Sequence, residues 1–200
     1  MSILYCPRTP SPYNKIPDEF ASELELVLKQ AFGRVGMAIN DGYFTEGNPM
    51  HPKNLSFFVL AYDLNDYRDA DKLLVGGSIF TREQIDDFVI EYACKVGVRD
   101  GYERNGIMGG IISVAREVSD GKKKHPIVLR TSIPSADAAY SKVSDKHEEV
   151  GDFAVHGFGF SDKKTGRELF DGANEKFMTA AKYVALKPKT VVPAEPLMPY

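Results

Sequence analysis

Only two cysteines occur among the 200 residues, Cys6 and Cys94, and they stand far apart. That excludes a disulfide framework and a cysteine-built zinc site. Cys94 lies inside an apolar run and reads as a small core side chain. No apolar stretch approaches the roughly 20 residues that cross a bilayer, so no membrane partner is expected. A basic surplus is also missing: 25 Lys and Arg against 28 Asp and Glu leave a net charge of −3. A nucleic-acid partner needs such a surplus to hold phosphates, and none is expected. The one basic run, Lys122–Lys124 beside Gly121, reads as a solvated turn. The start, Met-Ser-Ile-Leu-Tyr-Cys-Pro, lacks the basic opening and long apolar core of a secretory signal, so a reducing, cytoplasmic setting is the expectation. Histidine is sparse too, with His51, His125, His147 and His156 scattered, and no metal site is expected.

What is present suits one α/β domain with a real core: the chain is 43% hydrophobic and 26% charged. The domain is expected over 1–186. The tail 187–200 carries Pro188, Pro193, Pro196 and Pro199, which favours an extended course over a packed one.

Pro17-Asp18-Glu19 reads as a helix start, followed by Phe20, Leu24, Val27, Leu28 and Ala31 at helical spacing. A short second helix is expected around Val35–Ile39, then a loop. Leu55–Tyr62, Leu73–Phe80 and Phe88–Val98 are apolar, β-rich and of strand length, with short polar links that suit antiparallel neighbours. After Gly106 the period becomes helical through Ile107, Ile111, Val114, Ala115 and Val118. Ile127-Val128-Leu129 is again strand-like, and Ser135 is a plausible N-cap for a helix through Ala136, Ala139, Tyr140 and Val143. The expectation is a mixed, mostly antiparallel sheet with helices on both faces, in which Phe88–Val98 lies between Leu73–Phe80 and Ile127–Thr131.

The stretch Val96–Ile112 is the informative one: a buried strand ends, a polar loop follows, and a helix opens with glycines in its first turn. The first N–H groups of a helix have no partner within it, and the dipole there favours an anion. Glycine lets a phosphate approach that backbone closely. A second reading stands beside this one, that Gly106, Gly109 and Gly110 only let the helix pack tightly on the sheet. A P-loop is excluded because no Gly-Lys-Ser/Thr follows, and the spacing of Gly101, Gly106 and Gly109 does not match a dinucleotide fingerprint.

Val98-Arg-Asp-Gly-Tyr102 followed by Glu103-Arg104-Asn105-Gly106-Ile107-Met108 resembles the GNAT superfamily of N-acetyltransferases, whose members carry V-x-P-x-Y and then R/Q-x-x-G-x-G/A at a helix start. Leu74-Val75-Gly76-Gly77 resembles the family's preceding strand, and Ile127-Val128-Leu129 its following one. Leu169–Gly172 and Phe177-Met178 resemble its closing strands. Glu103 and Met108 depart from the motif.

The resemblance implies acetyl-CoA as cosubstrate. Its pantetheine would lie along Val96, Gly97 and Val98, and its pyrophosphate on the N–H groups of Arg104, Asn105, Gly106, Ile107, Met108 and Gly109. It implies direct attack by an amine, from a small molecule or a peptide, and a possible homodimer. It also implies a tyrosine that protonates the departing thiolate. Counting forward from Leu129 gives Tyr140; counting back from Gly157-Phe158 puts Phe153 in that slot. Tyr140 is favoured. Glu91, an acid inside an apolar run, is the first candidate base and His156 the second, each with a structural reading beside it. The alternative to an enzyme is a catalytically silent protein of the same fold that binds CoA or another protein.

Overall fold

The computed structural model describes residues 1–10, 16–37, 39, 41–44, 55–64, 73–85, 88–118 and 125–159. The chain runs β1 (Ile3–Arg8), α1 (Asp18–Gly33), β2 (Leu55–Asp63), β3 (Leu73–Ile85), β4 (Phe88–Val98), α2 (Ile107–Val118), β5 (Ile127–Thr131), α3 (Pro134–Tyr140), β6 (Lys146–Val150) and β7 (Phe153–Phe158). Among the described residues seven strands form one sheet in the order β1-β2-β3-β4-β5-β7-β6. Every pairing is antiparallel except β4 with β5. The expected position of Phe88–Val98, between Leu73–Phe80 and Ile127–Thr131, is the observed one.

β2 is apolar along almost its whole length because both of its faces are covered. On one face Leu24, Val27 and Leu28 of α1 pack with Phe58, Leu60, Leu74 and Ile79. On the other, Ile107, Ile111 and Ala115 of α2 pack with Val59, Val75, Phe80 and Ile127, joined by Tyr140 of α3. Adjacent glycines on β3 let both helices come close. A Cβ on Gly76 would lie 2.8 Å from Ile107 Cγ2, and one on Gly77 would lie 2.3 Å from Leu24 Cδ1.

Several expectations need correction. β1 was not expected; it is an edge strand and so tolerates Pro7. Arg34–Gly36 form a turn in place of a helix around Val35–Ile39, with Gly36 at φ 71° and Val35 exposed. β3 runs past Phe80 to Ile85 and meets Phe88 directly. α3 starts one residue before Ser135: Ile133 is its N-cap, in extended conformation, with Pro134 at the first helical position. It ends at Tyr140, which leaves Val143 exposed in the following turn. Residues 160–200 lie outside the described residues, and with them the expected closing strands at Leu169–Gly172 and Phe177-Met178, the end of the domain and the proline-rich tail. Lys122–Lys124 lie outside them as well.

Candidate functional site

β4 and β5 pair only at Glu91↔Ile127 and Tyr92↔Val128. β4 continues six residues further, to Val98, held by β3 alone. The cause is local. Ile79 pairs with Lys95 and Phe80 with Ala93, so Cys94 is an extra residue, and such a bulge bends its strand. Beyond Tyr92 the two strands part, and among the described residues no strand lies beside the edge of Ala93–Val98 that faces β5. An extended polar chain fits that edge as a strand would. Cys94 itself is spent on packing: its Sγ lies 3.1 Å from Thr81 Oγ1, and burial pushes its thiol up to about 11.

At the end of β4, Arg99 N–H bonds the Val75 carbonyl at 2.8 Å, and the chain turns through Gly101 (φ 83°), Arg104 (φ 65°) and Gly106 (φ 74°) into α2. Gly110 N–H makes the bond to Gly106 O at 3.0 Å. The N–H groups of Ile107, Met108 and Gly109 therefore have no acceptor within the helix. The glycines divide between the two readings. A Cβ on Gly110 would lie 2.1 Å from the Tyr5 hydroxyl, so Gly110 serves packing against β1. Gly106 and Gly109 have nothing within 4 Å of that position, and both border open space.

The loop's charges are sorted. Both of its acids are drawn to Arg34 of the turn after α1. Asp100 pairs with that guanidinium, Glu103 Oε1 lies 3.1 Å from it, and Arg34 Nη2 also donates to Val98 O at 2.7 Å. Glu103 accepts from its own backbone N–H and lies below the usual carboxylate range for that reason first, with Arg34 adding to it. Arg99 and Arg104 make no ion pair among the described residues, and Arg99 Nε is buried without a hydrogen-bond partner. An exposed run, Glu103–Gly106, thus leads into open helix N–H groups and carries the Arg104 guanidinium. Sequence reasoning gave Arg99 no role because it fills a variable position of the Val98–Tyr102 motif, and missed Arg34 because it is 66 residues from Asp100.

The proposed chemistry residues lie on the α2 face. Glu91 is fully buried; its Oε1 accepts from Arg82 Nε and Nη2 at 3.0 and 2.8 Å, and its Oε2 has no partner. Tyr140 is buried at the end of α3, its ring 5.6 Å from that of His156 and 6.4 Å from that of Phe158. Burial raises its pKa well above the ordinary value, so the hydroxyl keeps its proton. Phe153 stands at the start of β7 under the Arg130 guanidinium, 4.9 Å from its ring centre, and not on a helix. The 13 residues that separate the two counts are the turn after α3 and strand β6. His156 is buried beside Asp137 and His147.

On the α1 face, Lys95 lies over the Phe32 ring at 5.1 Å, and burial, with Arg130 adding, depresses its pKa. Arg130 hydrogen-bonds Tyr92. Two cations from β4 and β5 therefore flank the parting strands, a feature that spacing along the chain does not reveal.

No protein-family model and no curated protein sequence matches this chain. Solved structures do. NAA60 from Arabidopsis thaliana, in complex with a bisubstrate analogue, is 15% identical over 78% of this chain and 98% of its own, with a TM-score of 0.54. The PaiA N-acetyltransferase of Thermoplasma acidophilum, in complex with coenzyme A, is 14% identical over 79% and 99%, also at 0.54. A GNAT-family acetyltransferase of Staphylococcus aureus is 16% identical over 78% and 99%, at 0.53. The fold of this chain is the GNAT acyl-CoA N-acyltransferase fold.

Proposed function

From a chain that carries the GNAT fold, we propose an N-acetyltransferase that moves the acetyl group of acetyl-CoA to an amine acceptor. The observation that carries this reading is the pairing of β4 and β5, which stops after two residues, with β4 running on into the loop of Arg99 and Arg104 and the N-terminus of α2. The pantetheine arm takes the free edge of Val96 and Gly97. Val98 contributes less, since its carbonyl already accepts from Arg34. The pyrophosphate takes the N–H groups from Arg104 to Gly109, with Asn105 on the exposed lip. Two of the structures that the chain resembles hold coenzyme A or a bisubstrate analogue, which supports the same ligand here.

The amine nitrogen attacks the thioester carbonyl carbon; a C–N bond forms and the C–S bond breaks. Glu91 Oε2, unpartnered where the strands part, takes the amine proton through water. Tyr140 gives its hydroxyl proton to the departing sulfur. Its raised pKa keeps that proton in place, and a thiolate desolvated beside it would have its own proton affinity raised for the same reason. The departures that favour a silent protein lose their force. Glu103 is held by Arg34, Met108 packs on the α2-face core, and Phe153 belongs to a strand. Lys95 and Arg130 favour an acceptor with a carboxylate close to its amine. The test is turnover of acetyl-CoA with a panel of amines. Amino acids and short peptides with acidic side chains should be acetylated faster than polyamines. Absence of any acetylated product across the panel would leave the chain a CoA-binding protein.

A further inference from the structure

The structure assigns a binding site for a zinc-class divalent cation to Asp137, His147 and His156. The sequence pattern leads to the opposite expectation, because the three residues lie in α3, β6 and β7 and only folding brings them together. His147 and His156 face each other directly across the β6–β7 hairpin, so both rings leave the same side. The rings are stacked, 4.8 Å between centres and 16° between planes. Asp137 comes down from α3, and its Oδ1 lies 3.2 Å from His147 Nε2 and 3.0 Å from His156 Nε2. All three ligand atoms fall within 4.8 Å of one another.

The decisive group is His156. It is completely buried, and its Nε2 makes no hydrogen bond. The Asp137 oxygen is close enough for one but lies outside N–H geometry. The other ring nitrogen, Nδ1, lies 3.4 Å from Ser144 Oγ. A proton held on Nδ1 by that contact leaves a lone pair on Nε2, which is the arrangement of a metal-bound histidine with its supporting hydrogen bond. Two imidazole nitrogens and a carboxylate oxygen then lie within 4.8 Å of one another, and a small rotation of the stacked rings brings their lone pairs onto one ion. Acceptors converging in this way repel one another unless a positive charge sits between them, and a divalent cation supplies it. Two nitrogens and one oxygen are a ligand set for zinc, with a fourth position left to water. A bound ion would tie α3 to the β6–β7 hairpin, three residues before Tyr140. The proposal does not depend on acetyl transfer.

The experiment uses the full untagged chain, stripped with EDTA and dialysed, then given Zn²⁺ or Co²⁺. One equivalent of zinc should stay bound by elemental analysis, and the melting temperature should rise. Cobalt should produce the visible bands of a four-coordinate site. Ser144→Ala should weaken the metal roughly 10- to 100-fold by removing the support of His156. His147→Gln alters an exposed side chain, so the fold should survive, and the cobalt bands should vanish. A stripped chain that retains no zinc and melts at one temperature with or without it overturns the proposal, and so does a His147→Gln protein with the wild-type cobalt spectrum.

Discussion

In the proposed reaction Tyr140 and Glu91 make opposite demands on their surroundings. An acid must hold its proton until sulfur leaves, and burial secures this for the Tyr140 hydroxyl. A base must be ionised and have an oxygen to spare; Arg82 neutralises one Glu91 oxygen and leaves the other without a partner. Tyr140→Phe should therefore lower kcat by roughly 10²- to 10⁴-fold with CoA affinity unchanged, because only an interaction of the transition state is lost. If Tyr140 were merely a core residue, the same change would leave kcat intact and shift stability by about 1 kcal/mol. Glu91→Gln keeps an acceptor for Arg82 and removes the base, so steady-state kinetics should show a fall in kcat of similar size in a protein that melts normally. Arg82→Ala should instead cost about 3–5 kcal/mol in a denaturant titration, since it strands a buried carboxylate. An Arg82→Ala protein as stable as wild type would show that the Arg82–Glu91 pair carries no stability.

At the scale of elements, the first turn of α2 carries two glycines with different duties. Gly110→Ala drives a methyl into the Tyr5 ring and should destabilise the protein by about 1–3 kcal/mol. Gly109→Ala meets nothing and replaces glycine within a helix, so stability should rise by about 0.5–1 kcal/mol. The same methyl stands where a phosphate should approach, and calorimetry should find weaker CoA binding. Equal affinity in Gly109→Ala and wild type would return Gly109 to a packing role. The elements that carry this site were legible because their periods are clean. Leu73–Phe80 and Phe88–Val98 read as strands, and Ile107, Ile111 and Ala115 as a buried helix face. The rest was hidden for physical reasons. β1 carries a proline that only an edge strand accepts, and β6 is exposed and charged, so neither shows the apolar pattern of a core strand. The bulge at Cys94 is a matter of register between strands. The hold of Arg34 on Asp100 and Glu103, like the cluster of Asp137 with two histidines, joins residues that no local window contains.

Among the described residues β4 parts from β5 after two pairs, and both acids of the loop that follows β4 are held by Arg34. Acetyl-CoA at about 100 times its dissociation constant should add roughly 2.7 kcal/mol of stability. The central claim is that the pyrophosphate rests on the helix start at Gly106, and isothermal titration of CoA into wild type and Gly106→Asp tests it most directly. Gly106 sits at a positive φ that aspartate tolerates better than most side chains, and its Cβ position is empty, so the variant should fold. The account predicts stoichiometric CoA binding by wild type and none by a Gly106→Asp protein that still melts cooperatively. Equal affinity in the two proteins would contradict it.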